Sequence, residues 1–510
     1  NAPNILKQML LRGANAVGYK NYPDNVVRYF VREAANAGID IFRIFDSLNL
    51  VENMEVAINE VKKSGKICEG AICYTNDVIN PLEKKYNLKY YLDLVQSLDK
   101  LGVNIIAIKD MAGLCKPAAV SLLIKEIKNS TDLPIHFHTH DTSGTSSASV
   151  LAAIDAGVDI VDLAMDSMSG LTSQPALGSI ANIINSKQKN NNLNEGCIRT
   201  ASLYWEEVRK NYLAFESDFK GGSSDVYLHQ MPGGQFTNLK EQARSLGIST
   251  SKWGEVAKTY SDVNQMFGDI IKVTPSSKVV GDMALYMITN DLTIKQVEDK
   301  NIDIVFPQSV IEFFKGELGI PLGGFPKNLQ KKILDKQKPL DKRPGLTINY
   351  INLEVEKKNL EKKLDIDINS QQLASHLMYP KVFEDFINFR KKFSDTSILP
   401  TPVFFYGLKV DQEYSLKIDE GKSLIVRYLT KGETKQDGMC SVFFELNGQP
   451  RTIEVLDENF IKTSASKVKA DPNNINHIGS PLPGQVAQLF VTEGNKVIKG
   501  DKILIIEAMK

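Results

Sequence analysis

Short apolar runs that end on a polar residue recur through the first third of the chain: KQMLLRGAN, DIFRIFDS, KICEGAICYT, NIIAIKD, PIHFHTH and IVDLAMDS. With Arg12, Asp46, Thr75, Asp110, His140 and Asp166 as their ends, they follow one another at 26 to 35 residues. Between them the apolar positions take a helical spacing, as in PDNVVRYFVREAANAG, where Asp24 is placed to cap a helix and Gly38 to end it. Gly65, Gly102 and Gly157 punctuate the later units in the same way. Apolar strands alternating with amphipathic helices mean a parallel sheet covered by helices. A doubly wound sheet would carry a Gly-rich first turn, and none is visible. Polar residues gather instead at the C-terminal strand ends, where a (β/α)₈ barrel builds its active site. The expected fold is therefore α/β, a TIM-type (β/α)₈ barrel with six of its eight strands in this chain. That count places two strands before residue 1. NAPNILKQ, with no initiator Met and no signal-like apolar core, reads as a cut inside a longer polypeptide.

The pattern changes after the barrel. Residues 200 to 330 read as helices that could roof its mouth, for example TASLYWEEVRKNYLAFES. LEVEKKNLEKKLDIDI is a charge-rich amphipathic stretch with a solvated face. From 396 to 470 the sequence turns β-rich, through PTPVFFYGL, SLIVRYLT, MCSVFFELN and QPRTIEVL. SKVKADPNNINH reads as a linker. Turns at Pro483-Gly484, Gly494-Asn495 and Gly500-Asp501 then outline a small all-β module, half made where the chain stops at Lys510. The expected domains are a barrel with its helical extension over 1–330, a linking region over 331–470 and a small terminal module over 474–510.

Composition narrows the class. A chain of 510 residues exceeds one ordinary core, so several domains are expected. With 61 basic and 61 acidic residues, net charge gives no support for a nucleic-acid or membrane-surface partner. No apolar run approaches the roughly 18 residues a membrane span requires. Five cysteines, an odd number without a CxxC pair, fit a reducing compartment, and a cytoplasmic protein is expected.

Candidate chemistry sits at the strand ends. HFHTHDT places His136, His138 and His140 at alternate positions, hence on one face of a strand, and holds half of the six histidines. His138 and His140, nearer the mouth, are candidate ligands of one borderline metal ion. His136, deeper in the strand, reads as a hydrogen-bonded core residue. Lys109 ends the preceding strand. Burial should lower its pKa, and a neutral amine can take up CO₂ as a carbamate that ligates metal; an ion pair with Asp110 or Asp141 is the alternative. Arg12 could grip a small carboxylate with its guanidinium fork, with the Tyr19 hydroxyl nearby. KVTPSSKVVGD sets Thr274, Ser276, Ser277 and Lys278 around a proline, where hydroxyls could contact substrate, carry a proton or simply cap a helix.

Together these segments resemble the pyruvate carboxylase family. MLLRGANAVGY, FRIFDSLN, IKDMAGL, HFHTHDTSG, DLAMDSMSGLTSQP, HQMPGGQFTNL and KVTPSSKVVGD look like its carboxyltransferase domain, and EAMK like its biotinylation motif. The resemblance implies a carbamylated Lys109 that ligates metal with His138 and His140, the ion being Zn²⁺ or Mn²⁺. It implies Arg12 and Tyr19 holding pyruvate, Thr274 as a catalytic proton carrier, Ser277 contacting substrate or biotin, and biotin on Lys510. It further implies oxaloacetate as product, MgATP and bicarbonate used at a separate domain, a biotin protein ligase as partner, a tetramerisation or allosteric region after the barrel, a homotetramer, and acetyl-CoA as an activator. The family's DTTxRDAHQ-like stretch, which supplies a further metal-ligating aspartate, is not present, and neither is an ATP-grasp domain. The nearest alternative keeps the chemistry as an oxaloacetate decarboxylase α-subunit or transcarboxylase subunit. A Claisen-type barrel lyase and a non-catalytic carrier subunit are more distant ones.

Overall fold

Six short strands carry the barrel: β1 Gln8–Leu11, β2 Ile41–Ile44, β3 Ile67–Cys73, β4 Ile105–Lys109, β5 Ile135–His138 and β6 Ile160–Val161. They lie side by side in chain order, every pair parallel. A helix follows each: α1 Asp24–Asn36, α2 Val51–Lys63, α3 Leu88–Lys100, α4 Pro117–Lys128, α5 Ser146–Asp155 and α6 Leu177–Ser186. The expected α/β architecture is the one found, a curled parallel sheet forming part of a TIM-type barrel. These coordinates are a computed structural model that describes residues 3–186, 192–217, 219–457, 470–471, 474, 476–480, 485–498 and 500–507.

Strands closed in on both faces cannot alternate polar and apolar positions. IIAIK in β4 is accordingly buried at every residue. α1 turns Val26, Val27, Val31 and Ala35 inward, each buried valine worth about 1.5–3 kcal/mol. Gly38 follows it at φ +102°, a conformation open to glycine and strained for any other residue. The expected cap is not made. α1 begins with Asp24 inside its first turn behind Pro23, and the carboxylate accepts two hydrogen bonds from Arg343 at 2.9 and 2.7 Å. A second expectation is corrected at the last strand. β6 stops at Val161, so the polar residue at its end is Asp162, while the Asp166 carboxylate accepts from the Gly178 backbone N–H at 2.7 Å.

Helices after the barrel bind to its strand ends. Phe236, Tyr260, Phe267, Val280, Phe313 and Phe314 lie in one buried apolar cluster that Leu48, beyond β2, also joins. Gly233 N–H donates to Met111 O at 3.0 Å, beyond β4. Asn76, beyond β3, donates to Asp269 at 2.8 Å, and Ser276 Oγ donates to Ser47 O at 3.3 Å. Parts of the 200–330 segment thus contact the loops beyond β2, β3 and β4. LEVEKKNLEKKL forms the expected helix Leu353–Leu364, capped by Asn352, and Asn369 with Gln372 closes a capping box on Ser370–Met378.

The chain divides into two compact units, Asn1–Glu384 and Asp385–Lys510. In the second unit β7 Glu413–Asp419, β8 Lys422–Lys431, β9 Met439–Leu446 and β10 Gln449–Leu456 form an antiparallel meander. PTPVFFYGL is not a strand. Thr401–Tyr406 is a short helix with a proline in its first turn, where the missing N–H is no loss. β11 Gln485–Leu489 pairs antiparallel with β12 Leu504–Glu507. Lys510 and the Pro483-Gly484 turn lie outside the described residues. Among those residues no helix is long and apolar enough to cross a membrane.

Candidate active site at the barrel mouth

Inside the sheet, register decides which side chains meet. Arg43 is the parallel partner of Glu69, and Lys109 that of His138. Arg43 donates through Nε to Glu69 and through Nη1 to Asp162 at 2.5 Å. His136 lies between the same two carboxylates, Nδ1 donating to Glu69 at 2.9 Å and Nε2 to Asp162 at 2.8 Å. Burial resists charge on this imidazole, yet the hydrogen bonds to Asp162 and Glu69 outweigh it and hold its pKa above the ordinary value. Arg43, Glu69, His136 and Asp162 thus form one hydrogen-bonded box of charged and polar side chains. His136, 3% exposed, has both nitrogens committed there, in keeping with its reading as a core residue.

One layer higher, His138 and His140 bring their Nε2 atoms to 3.1 Å. The other nitrogen of each ring is already occupied: His138 Nδ1 donates to Asp162 at 2.7 Å and His140 Nδ1 to Thr172 O at 2.6 Å. Both rings therefore present a lone pair at Nε2, the arrangement of metal-binding histidines fixed through their far nitrogen. Burial lowers the pKa of His138, and burial together with His138 and Lys109 pushes His140 down to about 3. Asp162 is lowered too, but against the effect of its burial. Burial favours its neutral form, but His136, His138 and Arg43 hold it far below the carboxylate range.

Lys109 is 6% exposed, with Nζ 4.9 Å from the centre of the Phe45 ring. Among the described residues no carboxylate pairs with it. Asp110, the expected alternative partner, accepts instead from the Leu114 and Cys115 N–H groups and from Thr139 Oγ1. Burial pushes the Lys109 amine down to about 8, with Arg43 and Arg12 adding to the effect and Cys73 opposing it. Among the described residues no three His, Cys, Asp or Glu side chains are grouped to hold a metal ion.

Arg12 leaves β1 into the tightly wound GANAVGY loop. Its Nη1 donates to Val17 O at 2.6 Å, its guanidinium carbon lies 5.5 Å from the centre of the Tyr19 ring, and its Nε is buried without a partner. A half-buried guanidinium whose buried Nε is an unspent donor is poised for an anion. The structure thus brings Arg12 and Tyr19 together, and Arg12 close enough to Lys109 to depress its pKa. Thr274 and Ser277 lie on the turn that Ser276 ties to Ser47, past the end of β2. The helix from Ser276 has Pro275 as its cap residue and no capping hydroxyl. Ser277 Oγ is buried and unpartnered. No hydrogen bond among the described residues joins Thr274 or Ser277 to Arg12, Lys109 or the histidines.

Residues 24–203 match the HMGL-like family, and 226–427 match the conserved carboxylase domain. The carboxyl transferase domain of Rhizobium etli pyruvate carboxylase, solved with pyruvate and biocytin, is 55% identical and superposes with a TM-score of 0.87. The match covers 89% of this chain and 77% of that one. The chain belongs to the pyruvate carboxylase family. Within it, the match lies in the carboxyltransferase domain. The pyruvate carboxylases of Bacillus subtilis and Staphylococcus aureus are 46% and 48% identical over the whole of this chain. The chain spans only 44% of either.

Three residues of the candidate site were not singled out from the sequence: Arg43, Glu69 and Asp162. Arg43 and Glu69 sit inside DIFRIFDS and KICEGAICYT as charged breaks in apolar runs, and that was their signal. Asp162 shares IVDLAMDS with Asp166, and only the length of β6 separates their roles.

Proposed function

We propose that this chain carries out the carboxyl-transfer step of a biotin-dependent pyruvate carboxylase, moving CO₂ from carboxylated biotin on Lys510 to pyruvate and forming oxaloacetate. The observation that carries this reading is the proximity of Arg12, with its unspent buried Nε, to Lys109, which is depressed to about 8 and lies in register with His138 of a histidine pair whose Nε2 atoms face each other at 3.1 Å. The Arg12 guanidinium grips the pyruvate carboxylate and Tyr19 flanks the carbonyl. Thr274 Oγ1 passes a proton from the pyruvate methyl to the nitrogen that releases CO₂, a role suited to a hydroxyl only as a near-concerted shuttle. Ser277 offers a buried hydroxyl to substrate or biotin. Helices of the 200–330 segment over the mouth exclude water, which strengthens the pull of Arg12 on the developing enolate.

The donor set suits a metal ion. Two imidazoles with fixed Nε2 lone pairs, and a lysine able to become a carbamate, match the ligands of Zn²⁺ or Mn²⁺. Bound by Lys109, His138 and His140, the ion would supply Lewis-acid polarisation of the substrate oxygen. A biotin protein ligase loads Lys510, MgATP and bicarbonate are used at a separate domain, and the assembly is a homotetramer open to acetyl-CoA activation.

The test uses the full native polypeptide with pyruvate, MgATP and bicarbonate, following oxaloacetate with and without avidin. ATP-dependent product that avidin blocks is expected. Avidin-sensitive oxaloacetate decarboxylation without ATP-driven synthesis would move the protein to the decarboxylase and transcarboxylase branch.

A further inference from the structure

The Arg12 loop is fastened from a distance. Tyr22 OH donates to Met378 O at 2.8 Å, and Tyr379 OH returns a hydrogen bond to Val17 O. Two tyrosines, 356 and 362 residues from their acceptors, thus form a reciprocal pair at the end of helix Ser370–Met378. Val17 O is the oxygen that also accepts from Arg12 Nη1 at 2.6 Å. The loop needs such anchors because its backbone is not a relaxed one. Gly13 sits at φ +40°, where a Cβ would come within 2.9 Å of Asn53 O, and Ala16 sits at φ +47°. Tyr379 and Tyr19 both reach the surface beside Arg12, at 37% and 43% exposure. Burial keeps the Tyr379 phenol protonated, against the pull of Arg12.

We propose that Tyr379 is a positioning residue for the substrate carboxylate, fixing the Val17 carbonyl and through it the direction of the Arg12 guanidinium. This rests on the reading of Arg12 as the carboxylate grip. Without the Tyr379 hydroxyl the carbonyl is held from one side only, and the guanidinium gains freedom that substrate binding must remove.

Tyr379→Phe in the full holoenzyme should raise the pyruvate KM about three- to tenfold, the worth of one hydrogen bond, with kcat and the KM values for MgATP and bicarbonate unchanged. Pyruvate Kd by calorimetry should rise in parallel. Tyr22→Phe removes the other bond of the pair, which Arg12 does not share, and should lower Tm while leaving pyruvate KM within about twofold. Combined with Arg12→Lys, Tyr379→Phe should add less than its single effect, because the two act on one group. Unchanged pyruvate Kd in Tyr379→Phe, a rise no larger than that of Tyr22→Phe, or full additivity with Arg12→Lys would each overturn the proposal. Wild-type enzyme that fails to bind pyruvate would overturn the functional reading along with it.

Discussion

Asp162 serves two layers at once, closing the buried charge box through Oδ1 and holding His138 Nδ1 through Oδ2. Asp162→Asn puts a donor where His138 needs an acceptor, so metal affinity of the native enzyme should fall about 10- to 100-fold in a chelator competition. Alternate histidines are legible in a sequence because a strand has only two faces. Asp162 was not legible, since a two-residue strand leaves no period to separate it from Asp166. His229, which opens HQMPGGQFTNL, carried no separate signal for a different reason: it is a solitary histidine in a four-residue helix. Its Nδ1 accepts from Met231 N–H at 2.9 Å, and burial lowers it to about 4. The native state refuses the proton that the unfolded chain accepts, so its contribution is present above 6.5 and is lost as pH falls from there towards about 4. His229→Asn, which can keep the acceptor, should lack that loss, on the order of 3 kcal/mol, when unfolding is compared across this range.

Elements were read well where packing repeats and poorly where one distant partner decides. The six strand–helix units follow from their spacing alone. Asp24 did not become a cap because Arg343, 319 residues away, claims both of its oxygens. Both side chains are nearly buried, 6% and 13% exposed, so Arg343→Leu should destabilise the first unit by about 3–5 kcal/mol by stranding a carboxylate. Adding Asp24→Leu should restore much of that, as a double-mutant cycle in denaturant would read. PTPVFFYGL shows the opposite limit. Its aromatic and β-branched residues suit a strand, yet prolines at 400 and 402 favour the start of a helix.

At the scale of the molecule, the candidate metal site is positioned by sheet register and by the hydrogen bonds among Arg43, Glu69, His136 and Asp162, all of them contacts between protein groups. Chelation of the native enzyme should therefore abolish carboxyl transfer while leaving its far-ultraviolet circular dichroism unchanged. The expected fall in Tm is only what ligand linkage supplies. The fold was legible because its units repeat; the fastening of the Arg12 loop was not, because it joins residues at opposite ends of the first unit. That separation has a consequence for synthesis. A ribosome adds about 5–20 residues per second, so the Arg12 loop is made roughly 20–70 s before Tyr379, which lies 362 residues after Val17. The Arg12 loop is therefore translated well before its second anchor. A nascent chain released between the two would carry Arg12 and its loop without the Tyr379 hydroxyl that holds Val17 O.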